Sequence, residues 1–160
     1  MENLTEKLSS KFGQDIVEIT NPRPARIYMR VKNESFKGIL KSLINDFGLT
    51  HLSTISAVDL KTEFEVVYHL FGNNIALSIA IKADRNDPHI DTITDIIPGA
   101  IVYERELQEM MGIEVNNIPD GRRLIIPEDW PKDQFPLRKD WSMDMLPDSF
   151  NDGLLRKWQD

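Results

Sequence analysis

The first half of the chain carries two hydrophobic patterns that predict helices. Between residues 3 and 12, apolar side chains recur at every fourth position, and Gly13 follows as a stop signal. A wider apolar stripe runs from Ser35 to Phe47, and Gly48 follows where a helix end favours glycine. The spacing therefore predicts two amphipathic helices, each with one face toward a core.

Alternating apolar and polar positions predict a β-sheet. The alternation is clearest in residues 25–31, 52–59, 64–71 and 75–83, with a shorter candidate strand at residues 16–19. Short polar connections at Lys61-Thr62 and Asn73-Asn74 separate the last three of these segments, and asparagine tolerates the backbone of tight turns. Those three strands are therefore predicted to form an antiparallel meander.

The remaining elements of the first part complete the predicted fold. Residues 92–97 are a short helix candidate that Pro98-Gly99 ends, and residues 100–111 are a longer helix with Gly112 as its stop. Asn21-Pro22-Arg23-Pro24 is predicted to be a turn or linker. The predicted class is α+β, an antiparallel sheet meander with helices packed on one face.

The character of the chain changes after Gly112, so we divide it into an α+β domain, residues 1–112, and a tail, residues 113–160. The tail holds five of the nine prolines and all three tryptophans. Proline is excluded from helix interiors and central strands, so this proline-rich tail is expected to be extended and irregular. Aromatic residues and arginine anchor interfaces, which predicts that the tail docks along a partner protein instead of folding back.

Composition excludes several classes of protein. The net charge of -7 argues against a general nucleic-acid role, which needs a basic face. The chain has no cysteine, so it cannot by itself hold an iron–sulfur cluster, and we expect no cofactor in it. No apolar run approaches the length of a membrane span, and the polar start lacks the features of a signal peptide. These features predict a cytoplasmic chain that reaches a membrane only through partners.

The residues that could carry chemistry match no catalytic pattern. The three histidines lack metal-ligand spacing, and His69, between apolar residues of a strand, is expected to be a hydrogen-bonded, partly buried side chain. The glycines form no nucleotide-binding motif. Arg122-Arg123 and Arg138-Lys139 leave two alternatives open, anion binding or pairing with nearby carboxylates. The candidate carboxylates are Glu128, Asp129, Asp133 and Asp140.

One stretch of about forty residues, from Glu104 to Trp141, carries a set of specific motifs. The motifs are Glu104-Arg105-Glu106, Glu109, Met110-Met111-Gly112-Ile113, Arg122-Arg123-Leu124-Ile125, Pro127-Glu128-Asp129-Trp130 and Pro136-Leu137-Arg138-Lys139-Asp140. In order and spacing they resemble the thirty-kilodalton subunit family of respiratory complex I, an NADH dehydrogenase. The family includes the related subunit of energy-converting membrane-bound NiFe hydrogenases.

The resemblance implies a function and a set of partners. It implies a non-catalytic peripheral-arm subunit of an ion-pumping membrane redox complex, on the cytoplasmic side of the membrane. The implied partners are a large NiFe-hydrogenase-like subunit and a small iron–sulfur subunit, which would carry the iron–sulfur clusters and any NiFe centre. Tyr103, Ile118 and the long segment between Trp130 and Pro136 depart from what is typical of complex I members, which favours a hydrogenase-type or archaeal-type relative. The alternatives are an NADH (or other donor):quinone oxidoreductase and, in another class, a stand-alone adaptor that binds by sheet-edge pairing.

Seven residues are predicted to form the partner interface, and none is predicted to be catalytic, cofactor-binding or metal-binding. The seven are Glu104, Arg105, Glu106, Arg123, Trp130, Arg138 and Lys139. The two glutamates lie near a helix start, where negative charge is favourable. We therefore hypothesise that Arg138 and Lys139 form ion pairs with these glutamates and fix the tail against the body.

Overall fold

The computed structural model describes residues 4–147, in which a five-stranded mixed sheet is the central element. The strands are β1 (Ile16–Arg23), β2 (Arg26–Val31), β3 (His51–Asp59), β4 (Glu63–Gly72) and β5 (Ile75–Asp84). The helices are α1 (Leu4–Phe12), α2 (Phe36–Asn45) and α3 (Ile101–Met111). A separate parallel pair consists of β6 (His89–Asp91) and β7 (Glu114–Asn116).

The strand order β1-β2-β5-β4-β3 contains the predicted antiparallel meander of β3, β4 and β5. Tyr68 of β4 stands opposite Ile55 on one side and Ile79 on the other. β2 joins the sheet in parallel to β5, with Met29 opposite Ile79, and β1 forms a hairpin with β2. The predicted α+β class is confirmed. The sheet is mixed because β2 pairs in parallel with β5, and no local turn signal in the sequence predicts that pairing.

The helices cover one face of this sheet. Tyr68 is fully buried there, and its ring centroid lies 4.5 Å from that of Phe36 in α2. Leu8 of α1 and Leu107 of α3 belong to the same buried cluster. Burying a large apolar side chain contributes roughly 1.5–3 kcal/mol, so this shared core fixes the position of α3 on the sheet.

Two local predictions were wrong. Residues 21–23 belong to β1, and the turn lies at Pro24-Ala25, where Ala25 has a φ of 60°. Strand geometry tolerates Pro22 because β1 is an edge strand with one neighbour. Residues 92–97 form a turn instead of a helix, because Thr92 and Ile93 hydrogen-bond to a side chain of α3.

After α3, the only regular elements in residues 113–147 are β7 and a 3₁₀ turn at Met143–Met145. The extended, irregular character of the proline-rich tail, the division at Gly112 and the course of the tail along a partner all stay predictions. Residues 148–160, which include Trp158, lie outside the described part. Between residues 4 and 147, no helix combines the length and apolar character needed to cross a membrane.

Candidate partner-docking surface on helix α3 and the tail

Two charged side chains one turn apart on α3 hold the loop that follows β7. Arg105 donates from Nε and Nη2 to the carbonyl oxygens of Arg122 and Arg123, each at 2.6 Å. Glu109 accepts the backbone N–H groups of residues 124–126 on its two carboxylate oxygens. Side chains four residues apart share a helix face, so one face of α3 fixes the main chain of this loop.

Arg123 and Trp130 order the next turn of the tail. The Arg123 guanidinium donates to the carbonyl oxygens of Pro127 at 2.6 Å and Trp130 at 3.1 Å. The indole nitrogens of Trp130 and Trp141 both donate to Gln134, to its carbonyl and its side-chain oxygen respectively, at 2.9 Å. These are again contacts within the chain, made mainly to main-chain groups.

Arg138 ties the far end of the segment to the C-terminus of α3. It donates from Nε to the carbonyl oxygen of Met111 at 2.7 Å and from Nη2 to that of Gly112 at 3.3 Å. Its guanidinium carbon lies 4.4 Å from the ring centroid of Phe135 and 5.2 Å from that of Phe64. Burial lowers the pKa of Arg138, and the nearby charge of Arg85 lowers it further.

Gly112 makes this close approach possible. Its φ of +65° is a left-handed conformation that ends α3. A Cβ at this position would lie 2.5 Å from the ring of Phe135 and 2.7 Å from Nη2 of Arg138. Glycine is therefore required both by the backbone and by the tail packed against it.

A buried carboxylate at the end of β3 holds the same tail segment. Asp59, 3% exposed, accepts the backbone N–H of Lys139 at 3.0 Å and that of Lys61 at 2.7 Å. Arg85 lies 3.3 Å from Asp59 and 2.9 Å from Asp140. Burial raises the pKa of Asp59, but these hydrogen bonds and the Arg85 charge outweigh it and hold the pKa below its ordinary value. Sequence reasoning missed this cluster, because no local pattern links residues 59, 85 and 139.

Glu104 is buried inside the chain with 0% exposure. Its Oε1 accepts the backbone N–H of Ile93 at 2.7 Å, and its Oε2 accepts the Thr92 hydroxyl at 2.6 Å. Burial raises its pKa, and the two hydrogen bonds oppose that rise. A signal for this burial was present, since Glu104 continues the helical spacing of the buried residues Leu107 and Met111.

The hypothesised ion pairs between Arg138-Lys139 and the two glutamates do not form in residues 4–147. Arg138 binds carbonyl oxygens and Glu104 binds Thr92 and Ile93, because the helix end and a buried turn supply those partners instead. The side chains of Glu106 and Lys139 make no hydrogen bond or ion pair within the described residues. The structure thus brings Arg105, Arg123, Trp130 and Arg138 together around α3.

The remaining charged candidates also have partners other than those predicted. Arg122 binds Asp120 through Nη2 at 2.7 Å, and hydrogen bonds from Arg122 lower the pKa of Asp120. Asp140 pairs with Arg85. The assignment of all seven residues to a partner interface stays a prediction. Because Glu104 is fully buried, it could contribute to that interface only indirectly.

His69 is the hydrogen-bonded, half-buried side chain that was expected. Its Nε2 lies 3.0 Å from the Ser56 hydroxyl and its Nδ1 2.9 Å from the Ser78 hydroxyl, on the sheet face opposite Tyr68. Burial lowers its pKa. Residues 4–147 contain no group of three or more acidic or histidine side chains arranged to hold a metal ion.

The fold is thus an α+β domain whose third helix holds a later segment of the chain mainly through main-chain groups. Residues 29–145 match the family model described as respiratory-chain NADH dehydrogenase, 30 Kd subunit. The chain belongs to this family, as its motifs predicted.

Two relatives, one named as a dehydrogenase subunit and one as a hydrogenase subunit, align with most of the chain. The C-type subunit of the F(420)H(2) dehydrogenase of Methanosarcina mazei is 31% identical over 142 residues, which cover 86% of this chain and 89% of the relative. The beta subunit of the membrane-bound hydrogenase of Pyrococcus furiosus is 28% identical over 146 residues, which cover 87% of this chain and 84% of the relative. These relatives are named as subunits of larger complexes.

A solved structure shares the fold. A chain in the structure of the membrane-bound sulfane sulfur reductase, an archaeal respiratory membrane complex, superposes with a TM-score of 0.76. The match covers 88% of this chain and 84% of that chain at 24% identity, so it shows the fold.

One relative is much longer than this chain. The C/D polypeptide of the NADH-quinone oxidoreductase of Erwinia tasmaniensis is 30% identical over an alignment 152 positions long, which covers 84% of this chain but 24% of that protein. Its C/D name joins two subunit designations in one polypeptide.

Proposed function

We propose that this chain is a non-catalytic peripheral-arm subunit of a complex I-like, ion-pumping membrane redox complex. The proposal rests on what the charged side chains around α3 bind. Arg105, Glu109, Arg123 and Arg138 all bind main-chain groups of this chain. A catalytic acid or base must reach a substrate, whereas these residues hold a segment rigid, which suits docking.

Within that class, we propose a membrane-bound energy-converting NiFe hydrogenase, with a donor:quinone oxidoreductase as the alternative. Tyr103 and Ile118 support the hydrogenase. Both alternatives have a relative, because the chain is 28% identical to a membrane-bound hydrogenase subunit and 30% identical to the C/D polypeptide of an NADH-quinone oxidoreductase. Within the membrane complex, this chain would lie peripherally on the cytoplasmic side of the membrane. A large NiFe-hydrogenase-like subunit and a small iron–sulfur subunit would hold the redox centres, since this chain has no cysteine.

Two observations on the sheet edges disfavour a stand-alone adaptor that binds by strand addition. The edge strand β1 contains Pro22, which has no N–H group to donate to an added strand. At the other edge, the Tyr103 hydroxyl of α3 donates to the carbonyl oxygen of Ser53 in β3 at 3.0 Å. Both edges thus have reduced capacity to pair with an added strand.

Purification of the tagged chain from its native host in mild detergent tests the proposal. We expect the large and small subunits to copurify, with iron in the assembly and none in the separated chain. Hydrogen evolution by the assembly would identify a hydrogenase, and reduction of a quinone analogue would identify the alternative. Recovery of the chain without partner subunits, or stoichiometric iron in the separated chain, would contradict the proposal.

A further inference from the structure

The sheet face that the helices leave uncovered displays one row of residues across all five strands. Near one end of the strands, Arg23 lies opposite Arg26, Arg26 opposite Ala76, Ala76 opposite Phe71, and Phe71 opposite His51. Residues directly opposite each other on neighbouring strands point to the same face of a sheet. We call these five residues the open-face row.

The open-face row contains the two arginines of residues 4–147 whose side chains have no partner there. Arg23 and Arg26 are exposed, and neither side chain makes a hydrogen bond or an ion pair within residues 4–147. Like charges opposite each other on neighbouring strands destabilise a sheet, so a bound anion would relieve this pair. The other arginines of this range bind a carboxylate or a main-chain carbonyl group, and they are Arg30, Arg85, Arg105, Arg122, Arg123 and Arg138.

The backbone that carries both arginines is fixed before any ligand binds. Pro24 restricts its own φ, and Ala25 closes the turn with a φ of 60°. The carbonyl oxygen of Ala25 accepts the N–H of Ala76 in β5 at 2.9 Å, which ties the turn to the sheet. A backbone fixed in this way loses less entropy on association.

The charge of this end of the sheet face is positive. Residues 21–32, which include the turn and all of β2, contain four basic side chains and no acidic one, in a chain of net charge -7. The glutamates of the uncovered face lie toward the other end of the strands, where they pair with Arg30 and Lys82. The open-face row therefore offers two free cations without a carboxylate in the row.

An exposed aromatic ring adjoins the arginines. Phe71 follows the core residue Leu70, so it points away from the helices, and it is 46% exposed. Two strand spacings, or about 10 Å, separate Phe71 from Arg26, with the small side chain of Ala76 between them. Arginine and aromatic residues are enriched at protein interfaces. The row thus fits a segment that presents carboxylates to the arginines and an apolar side chain to Phe71.

We propose that the open-face row binds an acidic segment of a partner protein, with carboxylates on Arg23 and Arg26 and an apolar side chain on Phe71. A carboxylate matches the planar fork of arginine in a bidentate contact. Nucleic acid is disfavoured, because a chain of net charge -7 lacks the broad basic face that phosphate binding needs. An anionic membrane is disfavoured, because residues 21–26 contain no aromatic or long aliphatic side chain to insert. The row lies on the sheet face away from the helices, so it is separate from the segment that α3 holds.

Binding of a fluorescein-labelled peptide that repeats Glu-Glu-Leu to the full chain tests this site by fluorescence anisotropy. Arg26→Glu reverses a charge of the row. Lys32→Glu is the matched control, because Lys32 is exposed, has no ion pair within residues 4–147 and lies just beyond the other end of β2. Phe71→Ser has its control in Val58→Ser, since Val58 is 42% exposed on the same sheet face, toward the opposite end of the strands.

We expect Arg26→Glu and Phe71→Ser each to weaken peptide binding at least about tenfold, and each control to change it less than about twofold. A peptide that repeats Lys-Lys-Leu should not compete. Equal losses for Arg26→Glu and Lys32→Glu would show a general charge effect and overturn the site, as would the absence of Arg26-dependent binding. Tighter Arg26-dependent binding of oligodeoxythymidylate or of phosphatidylglycerol vesicles would overturn the acidic segment in favour of nucleic acid or a membrane.

Photo-cross-linking in the native host examines the natural partner. The photoreactive amino acid p-benzoylphenylalanine replaces Phe71, or Val58 as the control, and cross-linked peptides are sequenced by mass spectrometry. We expect position 71 to capture a peptide with adjacent acidic residues from another protein, and Arg26→Glu to abolish this capture. A captured segment without acidic residues, capture that survives Arg26→Glu, or no capture from position 71 would overturn the proposal.

Discussion

Arg138 caps the C-terminus of α3 through the carbonyl oxygen of Met111, which lies 2.7 Å from its Nε. The last carbonyl groups of a helix lack partners in the helix, and a cation there also interacts favourably with the helix dipole. The capping residue comes from the tail, 27 positions along the chain. The helix end and the tail therefore stabilise each other.

We predict that Arg138→Ala lowers the free energy of unfolding of the isolated chain by about 2 kcal/mol, as expected for hydrogen bonds from a charged donor. Arg138→Lys should recover less than half, because lysine lacks the planar fork that contacts Met111, Gly112 and the Phe135 ring. Urea unfolding measures both. Lys139→Ala is the control, and equal losses at the two positions would refute the capping role.

The contacts of Glu109 predict that changing this residue affects one loop, residues 124–126. Glu109→Gln replaces one of two acceptor oxygens with a donor, which faces backbone N–H groups that need an acceptor. Amide exchange at residues 124–126 should rise at least about tenfold, with a stability loss of about 1–3 kcal/mol. Glu106→Gln, at a side chain without a partner in residues 4–147, should change neither. Unchanged exchange in the Glu109 variant would show that the carboxylate does not hold the loop.

The elements with local periodicity were predictable from the sequence, and the contacts between distant segments were not. The stripe from Phe36 to Leu43 marks α2, and alternation marks β4 and β5, because burial acts on each element at its own repeat. The parallel pairing of β2 with β5 joins strands about fifty residues apart, and no turn signal between them predicts this pairing.

The same limit applied to the candidate site. The motif around Arg105, Arg123 and Arg138 was recognised, but charged side chains were expected to meet charged partners. In the structure they bind carbonyl oxygens. Because every residue has a main-chain carbonyl group, the sequence does not indicate which of them will accept such a hydrogen bond. The burial of Glu104 was readable from the α3 stripe, whereas its partners Thr92 and Ile93 lie in a turn that was predicted as a helix.

Gly112→Ala tests the packing of the tail on the helix end. The new methyl group would require a positive φ, which costs about 1 kcal/mol, and would collide with the Phe135 ring. We expect a total loss above about 2 kcal/mol in urea unfolding and faster trypsin cleavage at Arg138. Gly99→Ala is the control, since a Cβ there meets nothing within 4 Å. Unchanged cleavage at Arg138 in Gly112→Ala would contradict the tail packing.

Two buried carboxylates should give opposite pH dependences. The pKa of Asp59 lies below its ordinary value of 3.8, so Asp59 stabilises the fold above that pH, and its contribution is lost as the pH falls through the folded pKa. The pKa of Glu104 lies above its ordinary value of 4.5. Its contribution is therefore fully present below pH 4.5 and is lost as the pH rises through the folded pKa.

The variants Asp59→Asn and Glu104→Gln separate these contributions, since each amide keeps the shape of the side chain and removes its titration. From about pH 3 to about pH 7, the stability of wild type relative to Asp59→Asn should rise, and that relative to Glu104→Gln should fall. The hydrogen bond between Thr92 and Glu104 can reverse, so that the protonated Glu104 carboxyl donates to the Thr92 hydroxyl oxygen, which accommodates the protonated form. Urea unfolding at a series of pH values measures both differences. Slopes of the same sign would show that burial does not control the protonation of Glu104.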